Sequence, residues 1–543
     1  MNGISKGGIL MKADYIFCNG PVITVDSRDS VREGVAIANG IIIKVGTKED
    51  VMQLRGETTE MIDLKGRSLI PGFIDSHLHT AVMGANALAL DLRWPGVGSI
   101  EEIKVKIREA AKTVPKGQWI RGWGYDHSKL KEQRHPNKWD LDEAAPEHPV
   151  MLTRVCAHIS AHNSMSLNFA GVDENTVCND PSTMEKIDGV YSGVMKENAH
   201  MAMMKVASLS KEEIIRAMEA ANQMLVSEGI TSVHDSGGYG AVQMEAFQEA
   251  VEQGKFHPRL YTMIFSFVEN VRFVEDYLSV GIHTGFGNPH LRLGPVKLMI
   301  DGSSSGPTAA TLAPYASNPS FSGILSHTQE EIDAIIEKAH GLGWQVTSHA
   351  VGDRAVTMIV DAIEKALLKC PREDHRHRIE HCAMVNDALL ERIKALGIVP
   401  IPNPIFLYEF GDGYLKNYGN ERAHRMFPSK SYFDRGILAA GSSDCPITFS
   451  NPIRNMSAAV NRKTQTGQVV NGAEGVSVAQ ALRMFTIHGA YASFEEKQKG
   501  SIEEGKLADL VVLSGSLYET SPVDLEGLSV DMTLIDGKVV YKK

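Results

Sequence analysis

Two histidines one residue apart, His77 and His79, close the apolar run Leu69-Ile70-Pro71-Gly72-Phe73-Ile74-Asp75-Ser76. A strand sends alternate side chains to one face, so both imidazoles project together from its end. Neutral imidazoles held that way can share one divalent cation. The same spacing also suits two hydrogen-bonded polar residues at a strand end, so further donors must come from elsewhere in the chain.

Later residues bring matching chemistry to the ends of strand-like runs. Lys297 lies in Val296-Lys297-Leu298-Met299-Ile300-Asp301-Gly302, and His349 ends Trp344-Gln345-Val346-Thr347-Ser348-His349. His381 ends Arg378-Ile379-Glu380-His381, Asp444 follows Ala439-Ala440-Gly441-Ser442-Ser443, and His234 ends Thr231-Ser232-Val233-His234. Asp444 either caps the turn before Pro446 or ligates and moves protons. An ammonium cannot ligate, and deprotonating an ordinary lysine at neutral pH costs on the order of 4 to 5 kcal/mol from a pKa near 10.4. Cationic neighbours and desolvation reduce that cost, and carbamylation then makes the side chain an anionic bidentate ligand. The alternative is a lysine that stays cationic and binds a substrate oxygen over a single metal. His234 is left to packing or to support behind the others.

Such groups meet only if their strands lie side by side. Helical apolar spacing at 214–228, 330–342, 355–368 and 388–396 alternates with the strand-like runs, which predicts parallel βα units. Their number favours an α/β fold of the (β/α)8 TIM-like barrel type over an open doubly wound sheet, and such a barrel carries its reactive groups at the C-terminal strand ends. Residues 13–68 read instead as short strands, with Asn19-Gly20 and Asn39-Gly40 as hairpin signals. The texture returns at 506–513 and 531–540, around an Asp536-Gly537 turn. Neither end can bury a core alone, so both termini are expected in one small β-sandwich domain, 1–70 plus 491–543, with the barrel at 71–490. The stretch at about 91–207 breaks the barrel rhythm and holds Trp94, Trp119, Trp123 and Trp139 of the chain's 5 tryptophans. It reads as an elaboration over the barrel mouth, its aromatics serving core packing or the lining of a pocket. Gly302-Ser303-Ser304-Ser305-Gly306 reads as a flexible connector, with an anion cradle as the alternative.

Six stretches carry a resemblance: Pro71–His79, Val296–Ser303, His349–Ala355, Arg378–His381, Gly441–Pro446 and Gly500–Leu510. In this order they resemble the amidohydrolase superfamily, and within it the YtcJ-like branch that includes N-substituted formamide deformylases, over nearly the whole chain. The resemblance implies a metal-dependent hydrolase with His77 and His79 on one ion, His349 and His381 on a second, and Lys297 bridging as a carbamate. Asp444 is then the catalytic acid and base, taking a proton from the attacking water and passing it to the leaving nitrogen of an amide-type C–N bond. The ion is a divalent transition metal, zinc first, with manganese or iron as alternatives and one or two per chain. Trp123, Tyr125, Asp126 and His158 match substrate-binding stretches, and a homodimer is expected. Pro400-Ile401-Pro402-Asn403-Pro404 departs from the Gln-x-Pro pattern of the branch, which leaves the substrate open beyond a small organic molecule. Rival readings are cleavage of a lactam, imide, ester or C–C bond beside a carbonyl on the same barrel, or a scaffold that has lost catalysis, which would show missing ligands.

Composition sets outer bounds. A formal net charge of -11 argues against a nucleic-acid footprint, and 43% hydrophobic against 22% charged residues is the balance of a globular chain. The 6 cysteines lack a Cys-x-x-Cys spacing, as expected of reduced thiols in a cytoplasmic protein. No apolar run approaches the length that spans a bilayer, and the first residues are too short in apolar content for a signal peptide.

Overall fold

The computed structural model describes residues 12–155, 159–177, 181–266 and 272–543. It divides into two compact units, Met1–Thr80 with Ala221–Lys543, and Ala81–Ala220.

The first unit is built on a parallel ring of β1 (Phe73–Leu78), β2 (Ile230–Asp235), β3 (Arg259–Ile264), β4 (Leu291–Met299), β5 (Val346–Ala350), β6 (Arg378–His381) and β7 (Val399–Ile401). These strands pair in that order. The gap between β7 and β1 is taken by residues 440–444. The amides of Ala440 and Ser442 donate to the carbonyls of Pro400 and Pro402, Ser76 donates to Gly441, and Asp444 donates to His77. A regular eighth ladder does not form because Pro400 and Pro402 have no N–H to return. The ring is therefore nearly closed, by an extended segment rather than a full strand.

Helices behind the ring follow their apolar spacing. The helix Asp353–Lys369 buries Ala355, Val356, Ile359, Val360, Ala362, Ile363 and Ala366, which recur at three- and four-residue steps along one face. The helix Gln329–Gly341 starts on a capping box between Thr328 and Glu331 and buries Ile332, Ile336 and Ala339. Both faces join the strand residues Val296, Leu298, Val346 and Ile379 and the buried Trp344 in one core. Removing that apolar surface from water at about 25 cal/mol per Å² is what holds the helices to the ring.

Both chain ends supply strands to one eight-stranded sheet, in which Leu510–Leu513 pairs with Leu69–Pro71 and so leads directly into β1. Asn39-Gly40 is a hairpin turn, with Asn39 at φ 51 and Gly40 at φ 77 between paired strands. Asn19-Gly20 is not a hairpin. It lies inside the single strand Tyr15–Ile23, where the register slips between Cys18 and Val22 and Asn19 stands at φ 63. Left-handed asparagine serves a bulge as well as a turn, and only the pairing partner decides between them. Arg259 on β3 ties the ring to this sheet through Asp509 at 2.7 Å and through Asp536.

The second unit has its own six-stranded sheet, which includes Ile120–Tyr125, Val150–Arg154 and Ile159–His162. Its core gathers Leu92, Ile103, Ile107, Ile120, Leu141 and Val150. No helix among the described residues is long and apolar enough to cross a membrane.

Candidate metal centre

The C-terminal ends of the ring strands bring His77, His79, Lys297, His349, His381 and Asp444 to the wall of one cavity of about 190 Å³. His77 sits near the end of β1 with His79 just beyond it, their ring centroids 5.7 Å apart. Nε2 of His77 is 3.4 Å and Nε2 of His79 is 3.5 Å from Oδ1 of Asp444. The ring of His381 lies 4.9 Å from that of His77 and 4.5 Å from that of His349. His381 and Asp444 both hold left-handed backbone, at φ 67 and φ 58. Such conformations cost on the order of 1 to 3 kcal/mol for a residue with a side chain, and they persist where surrounding structure enforces them.

Each imidazole is fixed from behind by an oxygen. His77 Nδ1 meets the Glu380 carboxylate, and His79 Nδ1 lies 3.1 Å from the carbonyl of Gly237. His349 Nε2 lies 3.1 Å from the carbonyl of Gly302, and His381 Nδ1 lies 2.6 Å from Oδ1 of Asn403. Carbonyls and carboxylates only accept, so each of these nitrogens carries the proton and the opposite one is left for the cavity. That is the outer support that metal-binding histidines generally use. His77 has a carboxylate at each nitrogen. Burial and Lys297 oppose its charged form, yet Glu380 and Asp444 outweigh them and raise its pKa. A cation at Nε2 would displace that second proton, which is how metal sites release protons on binding. Burial alone would raise the pKa of Asp444, but hydrogen bonds with His77 and His79 hold its carboxyl well below the usual range.

Lys297 is buried on β4, with Nζ 5.1 Å from the Phe265 ring. Burial lowers its pKa to about 8 against the opposing charges of Glu380 and Asp444. Three sequence-stretch neighbours join the wall: Ser303, Ser304 and Ser305 line the cavity, so the serine run is more than a connector. The Ser304 hydroxyl is 2.8 Å from that of Tyr414, and Tyr418 donates to the Ser304 carbonyl at 2.7 Å. His234 holds Arg378, whose Nη1 is 2.9 Å from its Nδ1, and stands edge-on to Tyr261.

Of the residues matched to substrate-binding stretches, Trp123, Tyr125 and Asp126 belong to the second unit. There the Arg93 guanidinium lies 5.4 Å from the Trp123 ring, the buried Tyr125 hydroxyl is 3.1 Å from His135, and Asp126 pairs with Arg154 at 2.9 Å. His158 lies outside the described residues. Sequence reasoning missed Glu380, Arg378 and Asn403. Their only signal is adjacency to His381 and to the end of β7, which names no partner.

Among the described residues, the group that could hold a metal ion through ligand atoms all within 4.8 Å is His77, His79 and Asp444. The model of the amidohydrolase family matches residues 60–541. The chain belongs to the amidohydrolase family. Within the family it is 32% identical to YtcJ of Bacillus subtilis (strain 168), over 98% of this chain and 100% of that one. It is 28% identical to the N-substituted formamide deformylase of Arthrobacter pascens, over 98% of each chain. An uncharacterized metal-dependent hydrolase from Pyrococcus furiosus superposes with a TM-score of 0.79 at 29% identity, covering 94% of this chain and 99% of that one. These alignments cover 94 to 98% of this chain.

Proposed function

We propose that this protein is a metal-dependent hydrolase that cleaves an amide-type C–N bond of a small organic substrate. The observation that carries the reading is the convergence of imidazoles from β1, β5 and β6 with Asp444 on one cavity, each imidazole fixed from behind by an oxygen. The donor set suits a divalent transition metal, zinc in the first place, with His77, His79 and Asp444 able to hold one ion, His349 and His381 a second, and Lys297, once carbamylated, able to serve both. When bound, such an ion makes water acidic enough to attack at neutral pH and polarises a carbonyl.

The chain's own residues supply the rest. Asp444 accepts the proton of the attacking water at a carboxylate oxygen and returns it to the leaving nitrogen. With its pKa lowered to about 8 by burial, Lys297 loses its proton near neutral pH at a cost on the order of 1 kcal/mol, where an ordinary lysine needs more than about 4. That supports the carbamate over the permanently cationic reading. Phe265, Met299, Val351, Phe406 and Ile447 give the wall an apolar part alongside the polar donors and the serine run, which suits an uncharged substrate group. The deformylase among the relatives supports a linear amide. With this reading go a homodimeric, cytoplasmic protein and a two-layer arrangement of the terminal sheet.

The test is elemental analysis of purified protein with a substrate screen on metal-loaded and metal-stripped samples. We expect one to two equivalents of transition metal and amide turnover that chelation abolishes. Activity that survives complete chelation would overturn the metal reading, and turnover of esters or cyclic imides without any linear amide would overturn the substrate class.

A further inference from the structure

Glu380 is fully buried, as are Arg378 and Thr347 around it. Its Oε1 accepts from Arg378 Nε at 2.9 Å and from Thr347 at 2.6 Å. Its Oε2 accepts from Arg378 Nη2 at 3.0 Å and from Nδ1 of His77. Arg378 also turns Nη1 to Nδ1 of His234 at 2.9 Å and donates from Nη2 to the Ser76 carbonyl at 2.6 Å. Every hydrogen-bonding direction at the carboxylate therefore has a named partner, and only one of them is a candidate ligand.

A charge pair this deeply enclosed is a poor stabilising device, because desolvation offsets most of its Coulomb attraction and an apolar pair of equal volume would serve the fold as well. It does fix direction. With Arg378 gripping both oxygens, the plane of the carboxylate is set, and the imidazole of His77 can satisfy it only by turning Nε2 toward His79 and Asp444. Of the other imidazoles of the centre, His79 and His381 lie against the Gly237 carbonyl and the Asn403 amide, and His349 lies against the Gly302 carbonyl, with Oδ1 of Asp301 farther off at 3.6 Å. A carboxylate behind an imidazole raises its donor strength more than a neutral oxygen does.

We propose that Glu380 is a positioning residue that aims Nε2 of His77 and makes the His77, His79 and Asp444 position the first to take up a cation. The proposal rests on the metal reading of the centre. Arg378 and Thr347 act through Glu380.

The test titrates cobalt(II) into metal-stripped full-length protein, reading the visible d–d spectrum and, by competition with a chelator, the dissociation constant of the first equivalent. Glu380→Gln keeps the shape but not the charge, and should weaken that equivalent by about 10- to 100-fold with an altered spectrum. Asn403→Leu, which disturbs His381 and the Ser442 hydroxyl two residues before Asp444, should weaken the first equivalent less than Glu380→Gln does. Should Glu380→Gln fail to fold around the stranded Arg378, Thr347→Val carries the test, with a several-fold weakening expected. Unchanged affinity and spectrum in whichever variant folds would overturn the proposal, as would an equal loss in Asn403→Leu. Wild-type protein that takes up no cobalt would overturn the metal reading and this inference with it.

Discussion

Oδ1 of Asn403 accepts the Nδ1 proton of His381 at 2.6 Å, while its amide nitrogen donates to the Ser442 hydroxyl at 2.9 Å. One side chain thus joins the end of β6, the chain beyond β7 and the segment that closes the ring. Asn403→Leu leaves the buried Nδ1–H of His381 without a partner and removes one hydrogen bond from the Ser442 hydroxyl, which still donates to the Pro402 carbonyl at 3.0 Å; the loss costs about 1 to 3 kcal/mol. It also releases the ring of His381, and we expect turnover to fall by about 10- to 100-fold. Urea unfolding and steady-state kinetics on the same preparation check both parts, and a variant with wild-type turnover would remove Asn403 from the centre.

Asp444→Asn keeps the size of the side chain and removes its ability to take a proton. General acid and base groups contribute about 100- to 10,000-fold, and a loss in that range is expected for the amide substrate at matched metal content. A loss of less than about tenfold with metal still bound would transfer the proton to another group.

The loop after β5 is packed to its limit. A Cβ on Gly352 would stand 1.9 Å from the Ala310 carbonyl, and the Gly352 amide donates to Asp301 at 2.9 Å. The obstacle is backbone and cannot rotate aside, so Gly352→Ala should destabilise by about 1 to 3 kcal/mol and shift His349. Gly341, whose Cβ would meet nothing within 4 Å, is the control. Gly341→Ala should change stability by no more than about 1 kcal/mol. Equal denaturation midpoints for the two variants would refute the crowding.

A chain of histidines at the opposite end of the ring makes stability depend on acidity. Nδ1 of His377 accepts from the Val346 amide at 3.1 Å, its Nε2 meets His340 at 2.9 Å, and His340 Nε2 donates to the Cys370 carbonyl at 2.6 Å. His375 accepts the His377 amide at 2.9 Å and donates to the Leu396 carbonyl at 2.7 Å. Every ring nitrogen is committed in the neutral form, and burial lowers the pKa of His375 to about 4. The unfolded chain binds a proton there below pH 6.5 and the folded chain does not, so the stability contribution is complete above pH 6.5 and falls as pH drops from there toward 4. The loss is on the order of 3 kcal/mol for this group. Burial raises Glu228 to about 7, which gives a slope of opposite sign over part of the same range, so the comparison must be between variants. His375→Gln cannot charge and should flatten the fall in urea midpoint between pH 6.5 and 5; parallel curves for variant and wild type would exclude His375.

The donors were readable before the fold because each lies at the boundary where a strand's alternation stops, and that boundary is a local property. The helices were readable for the same reason: the step from Val356 to Ile359, Val360 and Ile363 depends on no distant residue. The Asn19-Gly20 bulge shows where local chemistry ends, since the same left-handed asparagine fits two structures and only the neighbouring strand separates them. The serine run was misjudged because a glycine-flanked polar tract carries no mark of the tyrosines, Tyr414 and Tyr418, that hold it against the cavity.

By itself the sequence determined the alternation of strands and helices, the identity of the imidazole, amine and carboxyl groups, and their placement at strand ends, because periodicity and turn chemistry act over a few residues. Only the tertiary structure decided what stands behind each donor. Glu380 reaches His77 across 303 positions of chain, and Asn403 fixes His381 from another strand end. Hydrogen bonds of that span form when the ring closes, since nothing in either local segment holds its partner until apolar burial has brought the strands together.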